Sequence, residues 1–200
     1  MSEASLLEVL RTAADAKRIL EADFDFVSVS SFLKPSLCRL RDAVDCEVIA
    51  TDASGGEFAL CDARSLPERP LLYASSEGQA GVIARSLERG LSVIIDLPFW
   101  QDCLQFSGHG QLVEMRRVVP LAETDLVAQS PNIASSRHTL RTLLGLSPVP
   151  DPVEELHSAV VGLSKYYPVC SADDWQFESL FGKFTVVQNG DWRRRLNLPT

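Results

Sequence analysis

The amino-acid sequence predicts an α+β fold, in which helices pack around a mixed, largely antiparallel sheet. Three observations carry this prediction. Apolar residues recur at helical spacing near both ends of the chain, whereas residues 46–51 and 57–62 alternate with a period of two. A glycine-containing loop joins the two alternating segments, as in a β-hairpin.

The length and composition indicate one domain over residues 1–200. A chain of 200 residues is within the size of a single domain and buries roughly 70% of the surface that its unfolded form exposes. Its apolar fraction of 46% and charged fraction of 23% are ordinary for a globular protein. We expect the helical elements in 151–200 to belong to this same domain.

The N-terminal segment predicts a helix followed by a short strand. Residues 5–22 carry an apolar stripe at spacings of three and four, and Ser5 with Glu8 forms a capping box. Val27 and Val29 then alternate with serines, which indicates an extended segment. Pro35 is placed to open a short helix over 36–44, because the first turn of a helix tolerates proline.

The centre of the chain predicts three strands. CEVIAT (46–51) and EFALCD (57–62) flank a turn-rich DASGG loop, and PLLYAS (70–75) forms the third strand. We expect the first two strands to pair antiparallel, because the loop between them is too short for a parallel crossover.

A long amphipathic helix is predicted over residues 77–97. Ser76 with Gln79 forms its capping box, and Pro98 ends it. Gly90 lies inside this helix and weakens it by ~1 kcal/mol relative to alanine. The apolar stripe that we expect to pack on the sheet consists of Ala80, Ile83, Leu87, Leu91 and Ile94.

The segment after this helix is less regular. Residues 116–127 are apolar but contain Pro120, so we interpret them as irregular. A helix over 135–145, ended by Gly145, is predicted next.

The C-terminal quarter predicts two further helices. Asp151 caps a helix that runs to Leu163, with a proline in its first position. The second helix lies over DWQFESLF (174–181), and TVVQNGDW (185–192) is interpreted as a small closing strand and turn.

The charge distribution bears on partners. The formal net charge is −8, with acids spread along the chain. Such a surface opposes binding to nucleic acid and to anionic membranes, and favours basic partners. The sequence contains no run of 18 apolar residues, so no membrane-spanning helix is predicted, and its first residues lack the pattern of a signal peptide. A cytoplasmic location is the resulting expectation.

The cysteines predict thiols rather than a framework of disulfides. Their number is odd, and no two are spaced as C-x-x-C. We therefore expect free, mostly buried thiols, with no metal site and no cofactor. The five are Cys38, Cys46, Cys61, Cys103 and Cys170.

Candidate catalytic residues are few, and each has a structural alternative. Cys103 could pair with His109, His138 or His157, but nothing in their spacing specifies a nucleophile and base, and a buried inert thiol is the simpler interpretation. His109, between two glycines, is interpreted as an exposed loop residue.

Three further features of the sequence could bind a ligand, and each has a structural alternative. A phosphate could bind at the start of helix 77–97, where Glu77 would repel it, and a structural turn with a helix cap is the alternative. The cluster from Trp192 to Arg195 could grip a phosphate or pair with acids on the protein's own surface. Asp173 and Asp174 are interpreted first as acids at the start of a helix, and a cation site is the less favoured alternative.

The central run also resembles a known family. CEVIATDASGGEFALC, followed by PLLYASSEGQAGVIARSLERGLSVIIDLP, resembles the SMI1/KNR4 (SUKH) superfamily and is most similar to its actinobacterial members. The resemblance covers roughly Cys46 to Phe106 and includes no catalytic motif.

This resemblance implies a SUKH-like α+β fold and a function in protein–protein recognition. Bacterial members of the superfamily often act as immunity proteins that neutralise toxins. We therefore expect a non-enzymatic module that binds a protein partner. Its net negative charge would suit a basic toxin domain as that partner, and Phe99 and Trp100 are the candidate apolar anchors. The alternatives are a scaffold or regulatory interaction protein, and a cysteine-dependent enzyme that uses Cys103.

Overall fold

A five-stranded antiparallel sheet forms the centre of the protein. The computed structural model describes residues 2–33, 35–37, 39–40, 45–63, 68–171 and 173–196. The strands are β1 (Val27–Leu33), β2 (Arg39–Leu40), β3 (Cys46–Thr51), β4 (Glu57–Cys61), β5 (Leu71–Ala74), β6 (Ala80–Ala84) and β7 (Val169–Cys170). The five-stranded sheet has the order β1-β3-β4-β5-β6, and a second small sheet pairs β2 with β7.

Helices pack around this sheet, so the α+β prediction is confirmed. They are α1 (Glu3–Thr12), α2 (Ala14–Phe24), α3 (Leu87–Asp96), α4 (Trp100–Gln105), α5 (Leu112–Gln129), α6 (Ile133–Leu144), α7 (Pro152–Leu163) and α8 (Gly190–Arg195). None of the described helices is both long enough and apolar enough to cross a membrane.

The predicted central hairpin is confirmed. Strands β3 and β4 are antiparallel, with Cys46 opposite Cys61 and Thr51 opposite Glu57. The third predicted strand is β5, which pairs antiparallel with β4. The apolar alternation and the short loop were therefore sufficient to define this part of the sheet.

The prediction of a helix over 77–97 is wrong in its first half. Ser75 N–H donates to the carbonyl of Gln79 at 2.8 Å, which closes a turn, and residues 80–84 then pair with β5 as strand β6. The helix begins only at Leu87, where Ser86 accepts a hydrogen bond from Arg89 N–H. A strand buried on both faces carries the same continuous apolar residues as a buried helix, so pairing with β5 decided the outcome.

The predicted apolar stripe is accordingly split between a strand and a helix. Ile83 lies in β6 and Leu87, Leu91 and Ile94 lie in α3, and all four join the large core. Ala80 instead packs against the smaller core on the other face of the sheet.

The N-terminal segment forms two helices rather than one. α1 is capped by Ser2, whose hydroxyl accepts from Ser5 N–H, and the helix breaks at Ala13 before α2 begins. The prediction that Ser5 caps the helix is therefore wrong, because the capping residue is Ser2, about one turn earlier. The strand predicted around Val27 and Val29 is confirmed as β1.

The helix predicted over 36–44 is not formed at residues 39–40, which belong to strand β2. Cys38 and residues 41–44 lie outside the described residues. Pairing of β2 with the distant β7 explains the difference, since no local signal marks partners that lie 129 and 131 residues away.

Pro120 does not interrupt the structure as predicted, because residues 112–129 form the continuous helix α5. The proline is exposed, so its ring points to solvent, and the helix loses one backbone hydrogen bond. Burial of the opposite face outweighs that loss. The buried residues of this face are Met115, Val118, Leu121 and Ala122.

Helices α6 and α7 are confirmed. Gly145 ends α6 with φ of +60°, and the Asp151 carboxylate accepts from Glu154 N–H at 3.0 Å to begin α7. The helix predicted over 174–181 is wrong, because Gln176 bridges to Cys170 and Glu178 bridges to Gln79. The strand predicted over 185–192 is also wrong, since a 3-10 turn at Val186–Gln188 leads into α8.

The cysteine prediction is wrong for two of the five residues. Cys46 and Cys61 form a disulfide, with their Cα atoms 4.1 Å apart. They face each other across the β3–β4 ladder, a proximity that their separation of 15 residues did not reveal. Cys103 and Cys170 are buried free thiols, as predicted.

Candidate functional site

A cleft of about 500 Å³ opens at one end of the sheet, and we call it the aromatic cleft. Its walls come from the β3–β4 loop, the β5–β6 turn, helix α4 and the segment 178–184. This volume is within the range of small-ligand sites. The side chains that line it include Tyr73, Glu77, Trp100, Gln101, Glu178 and Phe184.

Tyr73 forms the floor of the aromatic cleft and belongs to a polar network centred on Asp52. The Tyr73 hydroxyl donates to one carboxylate oxygen at 2.6 Å. The other oxygen accepts from the backbone N–H groups of Ser54 and Gly56, at 2.9 and 2.8 Å, and from the Ser54 hydroxyl. Gln101 Nε2 lies 3.1 Å from the Tyr73 hydroxyl oxygen and joins the network from α4.

These hydrogen bonds determine the protonation of the network. Burial by itself would raise the pKa of Asp52, but the donors from Tyr73, Ser54 and Gly56 outweigh it, and the pKa lies below the usual value. Burial and the neighbouring Asp52 carboxylate raise the pKa of Tyr73. At neutral pH the pair is therefore a carboxylate and a phenol, each already engaged by the other.

The DASGG loop is explained by this network. Gly55 has φ of +88°, a conformation that side chains other than glycine rarely adopt. A Cβ atom on Gly56 would lie 2.5 Å from the Tyr73 hydroxyl and 2.6 Å from Asp52 Oδ2. The motif thus serves to bring backbone N–H groups onto a buried carboxylate.

The segment 178–184 forms the wall that sequence reasoning missed. Gly182 N–H donates to the carbonyl of Leu104 at 2.9 Å, and the Gly182 carbonyl accepts from His109 N–H at 2.8 Å. A Cβ atom at position 182 would collide with the backbone of Gln105. Gly182, within an otherwise apolar and aromatic run, was the signal that this segment docks closely rather than forming a helix.

The rim of the aromatic cleft carries charge of both signs. Glu77, Glu178, Lys183 and His109 are exposed there. Among the residues that the structure describes, no ion pair reaches Glu77 or Glu178. Lys183 Nζ lies 5.6 Å from the centroid of the Phe184 ring, a cation–π distance.

The two residues predicted as apolar anchors are adjacent in sequence but line different clefts. Trp100 is 3% exposed and forms part of the aromatic cleft, perpendicular to Tyr73 at 4.9 Å between ring centroids. Phe99 is 9% exposed and lines a smaller cleft of about 320 Å³ together with Asp102 and Trp192. Neither side chain projects from the surface. Of the two, only Trp100 lines the aromatic cleft, where it forms part of the wall.

Cys103 lies fully buried in α4. Burial, and secondarily the charge of Asp102, raises the pKa of its thiol, which opposes formation of a nucleophilic thiolate. The described contacts bring no histidine to Cys103. His109 is exposed in its loop, as predicted, His138 is exposed on α6, and His157 donates from Nε2 to the Gly110 carbonyl.

The phosphate site considered at the start of helix 77–97 is ruled out, because a strand turn lies there and no helix begins at Glu77. The arginine cluster pairs with acids of this protein, as its structural alternative predicted. Arg194 pairs with Asp191 and Arg195 with Asp125, which also accepts from Trp192 Nε1 at 2.8 Å.

Asp173 and Asp174 do not start a helix. Asp174 has φ of +66° in a turn and pairs with Arg39. Within the described part of the chain, no group of three or more histidine, cysteine or acidic side chains is arranged to hold a metal ion.

Comparison of the chain with protein-family models, with curated proteins and with solved structures finds no significant match.

Proposed function

We propose that the protein is a non-enzymatic binding module that recognises another protein through the aromatic cleft. The observation that carries this proposal is the state of the groups in the cleft. Its buried floor is internally satisfied by the Asp52–Tyr73 pair, whereas the rim carboxylates of Glu77 and Glu178 have no ion-pair partner among the described residues.

The distribution of ion pairs supports a basic partner. Many arginines are already engaged by acids of the same chain, so the surplus negative charge falls on acids such as Glu77 and Glu178. The pairs include Arg69 with Glu47, Arg89 with Glu155, Arg116 with Asp151, Arg137 with Glu123 and Arg141 with Asp96. With a net charge of −8, the protein would attract a cationic face.

The finer proposal is that this partner is a toxin and that the protein acts as its immunity protein in the cytoplasm. The resemblance of residues 46–106 to the SMI1/KNR4 superfamily supports it. Toxins that cleave nucleic acids need basic clefts for their substrates, so an acidic blocker suits them.

A growth-rescue experiment tests this function. Each toxin candidate encoded beside the gene would be expressed with the wild-type chain, with Glu77→Arg/Glu178→Arg, or with Glu21→Arg/Glu68→Arg. The last variant reverses two exposed acids outside the cleft lining. We expect rescue by the wild type and the control, and loss of rescue by the cleft variant.

Two results would contradict the proposal. Absence of rescue by the wild-type chain would remove the immunity function. Rescue that is equal for both charge-reversed variants would remove the aromatic cleft as the binding surface.

The rival cysteine enzyme is tested separately by thiol labelling. Because Cys103 is buried and its pKa is raised, we expect a small maleimide at pH 7.5 to leave it unmodified in the native protein and to modify it after unfolding. Rapid labelling of native Cys103, located by peptide mass spectrometry, would support the enzyme instead.

A further inference from the structure

Backbone hydrogen bonds join the two segments that carry the rim carboxylates of the aromatic cleft, Glu77 and Glu178. Glu178 N–H donates to the carbonyl of Gly78 at 2.8 Å, and Ala80 N–H donates to the carbonyl of Glu178 at 2.9 Å. Glu178 therefore sits beside the turn that carries Glu77. Side chains from two separate parts of the chain thus place negative charge on the same side of the opening.

Aromatic rings form the wall behind these carboxylates. Trp100 and Tyr73 meet edge to face, and Phe181 and Phe184 complete the lining. Lys183 Nζ over the Phe184 ring shows that a cation is already accommodated on this wall. An aromatic surface beside acids favours a flat cation over an apolar side chain.

We infer that the aromatic cleft captures an arginine side chain of the partner protein, an inference that rests on the proposed function. A guanidinium group stacks on aromatic faces and offers a fork of N–H donors to carboxylates, which an ammonium group does not match. Glu77 and Glu178 supply the acceptors, and the stacking surface is the ring of Phe184, which is 36% exposed, beside the half-buried Phe181. The Tyr73 hydroxyl at the floor already donates its hydrogen bond to Asp52, so the ligand does not need to provide an acceptor there.

Substitution of Lys183 should change the affinity for arginine in a defined direction. Its ammonium lies over the Phe184 ring, so it would compete with an arginine for that ring. Removing its charge with Lys183→Gln would therefore tighten binding of an arginine. A purely structural role of Lys183 would leave binding unchanged or weaken it.

The experiment titrates the full-length protein with N-acetyl-arginine amide and follows backbone NMR shifts. The neutral isostere N-acetyl-citrulline amide and N-acetyl-lysine amide serve as comparison ligands. We expect arginine to shift residues of the cleft and to bind about three- to tenfold more tightly than citrulline. Glu77→Gln/Glu178→Gln should abolish this difference, whereas Glu21→Gln/Glu68→Gln, with the same change in charge, should preserve it.

The outcomes separate this inference from the proposed function. Equal binding of arginine and citrulline, stronger binding of lysine than arginine, or unchanged or weaker binding of arginine by Lys183→Gln would overturn the arginine pocket. If one of these occurs while growth rescue still depends on Glu77 and Glu178, the proposed function stands without it. If arginine binds but growth rescue is equal for the wild type and the cleft variant Glu77→Arg/Glu178→Arg, the proposed function is overturned instead.

Discussion

At the scale of single residues, Asp52 organises the end of the sheet on which the candidate site depends. The residue is 5% exposed, and its carboxylate accepts hydrogen bonds from a loop, from a strand and, at a longer distance, from Gln101 of α4. A buried carboxylate is tolerated only when donors replace the water that it loses. The loop and the cleft floor are therefore one unit rather than two neighbouring features.

We expect Asp52→Asn to lower the free energy of unfolding by ~1–3 kcal/mol at pH 7, because an amide cannot accept all the donors that the carboxylate satisfies. Chemical denaturation measures the loss. Asp62→Asn, which removes an exposed carboxylate, is the control and should change stability little.

The pH dependence of the same variant has a defined sign. Since the folded pKa of Asp52 is lowered, its ionisation stabilises the protein above the unfolded pKa of ~3.9, and this stabilisation is lost as pH falls through the folded value. The difference between wild type and Asp52→Asn should therefore shrink below about pH 4. A difference that stays constant from pH 7 to pH 3 would mean that the carboxylate charge contributes nothing.

At the scale of elements, the packing of α3 on the sheet reverses the effect on stability that helix propensity predicts for Gly90. From helix propensity alone, Gly90 costs ~1 kcal/mol relative to alanine. In the structure, a Cβ atom at position 90 would overlap the Leu71 side chain and lie 3.4 Å from the Ala84 Cβ atom. The glycine allows the helix to approach β5 and β6 closely.

Gly90→Ala should therefore destabilise the protein by ~1–3 kcal/mol, as overpacking of a core does. Gly162→Ala is the matched control, because Gly162 lies in α7 and an added Cβ meets nothing within 4 Å. We expect it to raise stability by up to ~1 kcal/mol. Thermal unfolding of both variants tests the pair, and a stabilising Gly90→Ala would refute the close approach.

At the scale of the whole molecule, the Cys46–Cys61 disulfide closes a loop across the central hairpin. A loop of 15 residues corresponds to a stabilisation of ~3 kcal/mol in the chain-entropy description. Because thiols in a reducing compartment are ordinarily unpaired, this bond removes the cysteine argument for a cytoplasmic location, which remains a prediction.

Reduction should lower the melting temperature of the wild type, and Cys46→Ala/Cys61→Ala should lower it by a similar amount. The double variant also provides the control, since reductant should not affect it further. An unchanged melting temperature of the wild type under reductant would show that the bond makes no such contribution.

The net charge also acts at the scale of the whole molecule. If the acidic surface steers a basic partner, the association rate should fall markedly between 0.1 and 1 M salt, because the Debye length shortens from ~10 to ~3 Å. Stopped-flow or surface-based kinetics with the identified partner measures this. A rate that is flat across the range would assign the affinity to the aromatic wall of the cleft instead.

The sequence by itself determined those features whose causes are local. Alternating apolar residues and a short loop specified the β3–β4 hairpin, and Asp151 and Gly145 marked helix ends through their own hydrogen bonds and backbone angles. Likewise, the net charge of −8, from acids spread along the chain, was established before any fold was known.

Only the tertiary structure decided the features that depend on distant partners. Residues 80–84 are a strand because β5 offers them a ladder, and Pro120 stays within α5 because its helix buries one face in the core. The aromatic cleft combines residues from 54 to 184, and the pairing of Cys46 with Cys61 follows from strand register. Patterns of apolar residues show that a segment is buried, but the partner that buries it is a property of the whole chain.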